Sequence, residues 1–206
     1  MTGIFVTGTD TGIGKTLVAA WLVRNWRATY WKPIQSGIMD GSDAACVADL
    51  APGMPVYPST YVLEAPLSPH EAAAREGRRI DLDAFTLPAA SPLVVEGAGG
   101  VLVPLNETAT MIDLIARLGL PALVVARSTL GTINHTLLTL EALARRGLEV
   151  AGVVMNGPPN PANRRAIEQY GRVAVLAELP PLPVADAAGL EALPPPTFFP
   201  PVGSTP

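Results

Sequence analysis

Gly8-Thr9-Asp10-Thr11-Gly12-Ile13-Gly14-Lys15-Thr16 is the stretch whose reading decides the fold. Before it runs Gly3–Thr7, short and apolar, with the composition of a buried strand. After it comes Gly14–Trp26, where Leu17, Val18, Trp21 and Leu22 recur at helical spacing. A strand, a glycine-rich loop and a helix in that order make a cradle for an anion. The glycines let backbone N–H groups turn inward, and the helix adds the positive end of its dipole. Lys15 is placed to reach the outer phosphates of a nucleotide, and the Thr16 hydroxyl to ligate Mg2+. Five residues, rather than the common four, separate Gly8 from Gly14. A plain turn capping a helix accounts for the glycines but not for the closing Gly-Lys-Thr.

Working outward, Ala28–Lys32 reads as the second strand, stopped by Pro33. Ile34–Gly41 reads as a polar loop and Ser42–Leu50 as a helix with Ser42 near its N-cap. Ala51–Pro69 is proline-rich and shows no clear period, and His70–Glu76 is an alanine-rich helix. Leu93-Val94-Val95 is a buried strand that delivers Glu96 to its carboxyl end. There follow a helix at Met111–Leu118 stopping at Gly119, a strand at Ala122–Ala126, and a long helix at Ile133–Arg146 closed by Gly147. Val150–Met155, Ala162–Tyr170 and Val173–Leu176 read as strand, helix and last short strand. Apolar strands alternating with helices predict an α/β fold, a parallel sheet with helices on both faces. A single domain over residues 1–193 is expected. Nine of the 22 prolines lie at or after Pro180, so 194–206 is expected as a proline-rich tail, with Phe198 and Phe199 able to pin part of it.

Composition excludes several classes of function. The chain has 206 residues, 49% of them hydrophobic and 16% charged, enough apolar material for a core. Fourteen Lys and Arg against 18 Asp and Glu leave a net charge of −4, a poor balance for a nucleic-acid binder. Cys46 is the sole cysteine, so no internal disulfide forms, and no Cys/His spacing suggests zinc. Neither a signal peptide nor an apolar run of about 18 residues is visible. A cytoplasmic protein that binds neither nucleic acid nor membrane is expected.

Further candidates for chemistry sit where a parallel sheet gathers its ligands, at the carboxyl ends of strands. Lys32 ends the second strand, where an ammonium can neutralise charge on a transferring phosphoryl group; a surface lysine is the simpler alternative. Ser36 suits a substrate hydrogen bond or an ordinary turn. Asp43 suits a metal or a helix start. Glu96 closes a buried strand, where an acid needs a partner, and is placed as a metal-holding carboxylate. His70 and His135 read as loop or helix-end hydrogen-bonders rather than acid–base catalysts.

Together these pieces resemble the dethiobiotin synthetase family. The matching residues are Gly8-Thr9-Asp10-Thr11 with Gly14-Lys15-Thr16, Lys32-Pro33 with Ser36-Gly37, Ser42-Asp43-Ala44, Ser68-Pro69-His70, Glu96-Gly97-Ala98-Gly99-Gly100 and Gly131-Thr132-Ile133-Asn134-His135. They run in family order from about Thr7 to Asn156, and the extra loop residue is itself a family trait. The resemblance implies a P-loop NTPase-type fold and a homodimer that joins 7,8-diaminononanoate and CO2 at the expense of ATP, with Mg2+. Products are dethiobiotin, ADP and phosphate, by way of a carbamate and a mixed anhydride. It implies Lys15 and Lys32 as the catalytic lysines and Thr16, Asp43 and Glu96 as the metal-associated residues. The implied nucleotide contacts are Gly12, Ile13, Gly14, Lys15, Thr16, Leu17, Asp43, Glu96, Gly97, Ala98 and Gly99, with Asn156 reading adenine and Pro180, Pro181 and Leu182 walling it. Thr11 and Ser36 are implied as substrate contacts, and Gly131, Thr132, Ile133 and Asn134 as the partner subunit's seat for the substrate carboxylate. Gly12 stands where some relatives carry an acid, so that contact is lost or replaced in this chain.

Two other classes share the loop. A partitioning or cell-division switch ATPase usually carries a further lysine early in the loop, where this chain has Gly8, Thr9 and Asp10. It also tends to have a basic face or an amphipathic membrane tail, whereas no Lys or Arg follows Arg172 here. A small-molecule kinase has no evident need for Lys32 together with the Gly131–His135 stretch.

Overall fold

All six residues of Gly3–Gly8 are buried, and they form strand β1. The computed structural model describes residues 2–39 and 41–198. After β1 come α1 (Lys15–Trp26), β2 (Thr29–Trp31), β3 (Ile34–Ser36), α2 (Asp43–Leu50), β4 (Val56–Tyr57), β5 (Tyr61–Leu63) and α3 (Pro69–Arg75). The second half holds β6 (Leu93–Gly100), α4 (Met111–Leu118), β7 (Ala122–Arg127), α5 (Thr132–Arg145), β8 (Val150–Asn156), α6 (Pro161–Gly171), β9 (Val175–Leu179) and α7 (Ala187–Glu191). Seven strands make one sheet in the order β4-β2-β6-β1-β7-β8-β9, with every pair parallel. Parallel neighbours need crossovers, so helices cover both faces.

Side-chain alternation along the strands divides the core into two layers. Phe5, Val95, Val124 and Met155 face one side, where Ile115 of α4, Leu143 of α5 and Ile167 of α6 pack. Ile4, Val6, Val94 and Val125 face the other, against Val18 and Leu22 of α1 and Val47 of α2. Register levels the carboxyl ends: Val6 lies beside Glu96, Gly8 beside Val125, and Arg127 beside Asn156. Ser42 caps α2 as expected, its side chain accepting from the Ala45 N–H at 3.1 Å.

Three expectations need correction. Ile34–Gly41 is not simply a loop: its first three residues form β3, which pairs in parallel with β5 inside the unassigned Ala51–Pro69 segment. Three-residue strands offer too few alternations for a period to be read. The last strand lies further along than Val173–Leu176, at Val175–Leu179. Glu178 breaks its apolar run, but β9 is an edge strand and Arg164 of α6 meets that carboxylate at 3.2 Å. Finally α7, unforeseen among the prolines, is capped by Asp186 and buries Leu190. Beyond it Trp21 Nε1 donates to the Pro194 carbonyl at 2.9 Å, and the Phe198 ring packs edge-on to Trp26 at 5.6 Å. Phe199 lies outside the described residues.

Candidate active site

The turn after β1, the ends of β2, β3 and β6, and the start of α2 converge on one cavity of about 840 Å³. Its wall takes Thr11, Gly12, Gly14, Lys15 and Thr16 from the loop and α1, and Lys32 and Ser36 from the chain through β3. Asp43 of α2 and Glu96, Ala98 and Gly99 of β6 complete the predicted set there, and Pro66–Pro69 and Val103 close the rest. Gly14 adopts φ +90°, and a Cβ there would run into the Asn156 side-chain amide, so this turn requires glycine.

A knot of charge forms the cavity floor. Lys32 is only 4% exposed, and its Nζ lies 2.5 Å from Asp43 Oδ2 and 3.0 Å from Glu96 Oε1. Thr16 Oγ1 is 3.1 Å from Asp43 Oδ1 and 3.0 Å from Glu96 Oε1. A hydroxyl has one hydrogen, so Thr16 donates to only one carboxylate at a time and the other contact sets oxygen against oxygen. Thr16 Oγ1, Asp43 Oδ1 and Glu96 Oε1 thus bring three hard oxygens close together, a donor set suited to Mg2+. The Lys32 ammonium already rests against both carboxylates, where positive charge is wanted. Burial opposes the charge on Lys32, but Glu96 and Asp43 outweigh it and hold its pKa above the usual lysine value.

Lys15, also buried, donates to the Asp10 carbonyl at 2.8 Å. Burial pulls its pKa down, and the Lys32 ammonium adds to that, against the opposing pull of Glu96 and Asp43. Phosphate oxygens beside it would restore its preference for the charged form. Ser36 Oγ is buried without a partner on the cavity wall, a polar atom left for a ligand.

Two positioning residues escaped the sequence reading. Tyr30, fully buried on β2, donates its hydroxyl to Glu96 Oε2 at 2.8 Å. Burial, reinforced by the Glu96 charge, pushes that phenol well above its ordinary pKa. A tyrosine hydroxyl inside an apolar strand has to find a partner, and that is the signal that was available. Gln35 accepts the Asp43 N–H on Oε1 at 3.0 Å and donates to the Ser36 carbonyl at 3.1 Å, fixing the start of α2. With its segment read as a loop, nothing singled it out.

The remaining predicted residues lie outside this cavity. Ile13 is buried and its carbonyl accepts from Asn156 Nδ2 at 2.9 Å, so Asn156 braces the loop from β8. Leu17 packs against the α1-side core. A Cβ at Gly97 would sit 2.8 Å from the Phe5 ring, so that glycine serves close packing. Pro180, Pro181 and Leu182 line a separate cleft of about 490 Å³. Gly131 precedes α5 with φ +92°, Thr132 is buried with its hydroxyl donating to the Arg127 carbonyl at 2.5 Å, Ile133 is half-buried and Asn134 is exposed. None of these four lines this chain's own cavity. His70 and His135 do not line it either, and His135 Nδ1 is buried without the hydrogen bond expected of it.

Comparison with known proteins agrees with this geometry. A family model described as an AAA domain matches residues 2–188. The chain is 63% identical to the ATP-dependent dethiobiotin synthetase BioD of Paramagnetospirillum magneticum, over 96% of this chain and 97% of that protein. It is 44% identical to the BioD of Lawsonia intracellularis over 92% and 93% of the two chains. Among solved structures it resembles a ParA family ATPase from Chlorobium tepidum (TM-score 0.59, 11% identity, 93% of this chain and 89% of that one). A cell division ATPase MinD from Pyrococcus furiosus is similar too (TM-score 0.56, 18% identity, 87% and 84%). At such identities these two establish the shared fold alone. With a nucleotide loop, two buried lysines and a full-length match to the synthetases, the chain belongs to the ATP-dependent dethiobiotin synthetase family.

Proposed function

We propose that this protein carboxylates and cyclises 7,8-diaminononanoate with CO2 and ATP, giving dethiobiotin, ADP and phosphate. One amine of the diamine adds to CO2 and loses a proton, leaving a carbamate. A carbamate oxygen attacks the γ-phosphorus, and ADP departs. The second amine attacks the carbonyl carbon of the mixed anhydride, and phosphate departs as the cyclic urea closes. The observation that carries this reading is the single cavity running from the phosphate loop past Lys32 to Ser36 and Pro66–Pro69, with room for a diamine beside a nucleotide's outer phosphates.

Positioning and charge neutralisation dominate such chemistry. Lys15 holds the outer phosphates. Lys32, with three N–H donors of which two meet carboxylates, keeps one for the carbamate or the transferring phosphoryl group. Thr11 and Ser36 hydrogen-bond the substrate. Thr16, Asp43 and Glu96 would hold Mg2+. Bound Mg2+ supplies neutralising charge to the phosphate oxygens as the transition state forms. Asn156 commits one amide N–H to Ile13 and retains Oδ1 for a donor such as the exocyclic amine of adenine, with Pro180, Pro181 and Leu182 as the adenine wall. The first turn of α5 in the partner subunit receives the substrate carboxylate, worth about 0.3–1 kcal/mol at an exposed helix N-terminus. A homodimer is supported by Leu130, Leu102 and Leu138, all exposed. The free Cys46 thiol suits a reducing cytoplasm, and among the described residues no helix is long and apolar enough to cross a membrane.

The test mixes protein, Mg-ATP, bicarbonate and diamine, then measures phosphate release and the cyclic urea. Phosphate released only with diamine, together with the urea, supports the reading. Release without diamine indicates a switch ATPase, and a stable phosphorylated product indicates a kinase.

A further inference from the structure

Asp10 stands on the outer half of the phosphate loop, where Gly12 and Gly14 at positive φ supply no side-chain packing to stiffen the turn. Its carboxylate is nonetheless held on both oxygens. Oδ1 accepts the Thr11 N–H at 2.7 Å, and Oδ2 pairs with the guanidinium of Arg127. Its own carbonyl takes the Lys15 ammonium. Arg127 is the last residue of β7, so it reaches the loop from the rigid sheet rather than from a mobile surface. Its Nε is buried with no partner, a cost that makes sense only if the guanidinium is kept in place by another demand. Its carbonyl meanwhile accepts the Thr132 hydroxyl at 2.5 Å, in the first turn of α5.

We infer that Arg127 is a positioning residue: through Asp10 it fixes the phosphate loop, and through its carbonyl it ties that loop to the start of α5. Lys15 then hangs from a peptide whose orientation Arg127 sets from one strand away. The pair is partly exposed, so its net contribution to folding is small. Its effect falls on the loop at Asp10, the side opposite the Asn156 brace on the Ile13 carbonyl. The inference rests on Gly8–Thr16 being the nucleotide cradle, and a binding measurement separates the two: a wild-type protein that binds no nucleotide defeats that reading, not this one.

The experiment measures ADP affinity by calorimetry, and KM for ATP and kcat by phosphate release, for wild type, Arg127→Ala, Asp10→Asn and the double variant. Arg127→Ala is expected to weaken ADP about three- to tenfold and raise KM for ATP in proportion, with kcat within about twofold. The double variant is expected to be no weaker than the worse single one, because both remove the same contact. If Arg127→Ala fails to fold, Arg127→Gln keeps the stem and the backbone contact to Thr132 and is held to the same expectations. Unchanged ADP affinity, a kcat loss as large as the KM rise, or losses that multiply in the double variant would each overturn the inference.

Discussion

Replacing Lys32 with alanine tests the charge knot at two levels. The substitution removes an ammonium lying 2.5 Å from Asp43 and 3.0 Å from Glu96. It leaves those carboxylates sharing one Thr16 hydroxyl, with Lys15 the remaining cation of the site. Breaking a buried ion pair by deleting one partner costs about 3–5 kcal/mol. Water reaches Asp43, whose side chain is 36% exposed, so about 3 kcal/mol, near the lower bound, is the expected loss. For a chain of this length that lowers Tm by roughly 6–12 °C. Turnover should fall further than stability explains. An ammonium aimed at charge that develops in the transition state is worth about 10²–10³ in kcat, while ADP affinity should stay within about threefold. Scanning calorimetry gives the first quantity. Diamine-dependent phosphate release, assayed well below the variant's Tm, gives the second. Equal losses of ADP affinity and kcat would move Lys32 from the reacting phosphoryl group to ground-state nucleotide binding. An unchanged Tm would show that the ion pairs with Asp43 and Glu96 do not hold the ammonium in solution.

Tyr30→Phe strips one buried acceptor of its donor at Glu96 Oε2 and should cost about 1–3 kcal/mol by thermal denaturation, with the cavity otherwise intact. Asp113→Ala removes the capping box of α4 and the 2.5 Å pair with Arg146, and should cost about 1 kcal/mol in urea unfolding at neutral pH. Burial works against the Asp113 carboxylate, but the Thr110 N–H and the Arg146 guanidinium prevail and hold its pKa below 3.8. Its stabilising share is therefore complete above the unfolded value and lost as pH falls through the lower folded one, so wild-type and Asp113→Ala stabilities should converge in acid. Parallel curves down to about pH 2 would show the carboxylate is not the source.

The main chain was legible wherever one element was long enough to show a period. The run Gly3–Thr7, the Val-rich strands near 93–95, 122–126 and 150–155, and helices closing on Gly119 and Gly147 all stood in the sequence, because each repeats its pattern across several residues. What escaped was short or was set by pairing. β3 and β5 are three residues each and exist because they pair with one another, a fact no local window contains. Within the site, Glu96 reads as the end of its strand, but β6 runs on through it to Gly100, because glycines and alanine continue the strand past the apolar run. Lys15, Thr16, Lys32 and Asp43 could be named because each lies at the start or end of an element at the ligand end of a parallel sheet. Gln35 could not, since its role depends on reaching the first N–H of a helix eight residues onward.

The same contrast explains why the charged groups lie where they do. Two lysines and two carboxylates balance to zero formal charge in a pocket only partly open to water, but Lys32 takes both carboxylates while Lys15 meets only the Asp10 carbonyl, so Lys15 is the cation most in want of an anion. That balance would not persist in the proposed reaction, where a nucleotide brings several negative charges next to Lys15 and Lys32. The knot is thus poised toward anions and cations together. On the proposed mechanism an anionic ligand engages Lys15 and the third N–H of Lys32, and a Mg2+ beside Thr16, Asp43 and Glu96 would offset the added negative charge. Tyr30 and Gln35 matter because the first holds the Glu96 carboxylate and the second the Asp43 backbone N–H. Glu96 and the start of α2 are thus fixed independently of Lys32, so a ligand can engage the third N–H of Lys32 without repacking the strands beneath.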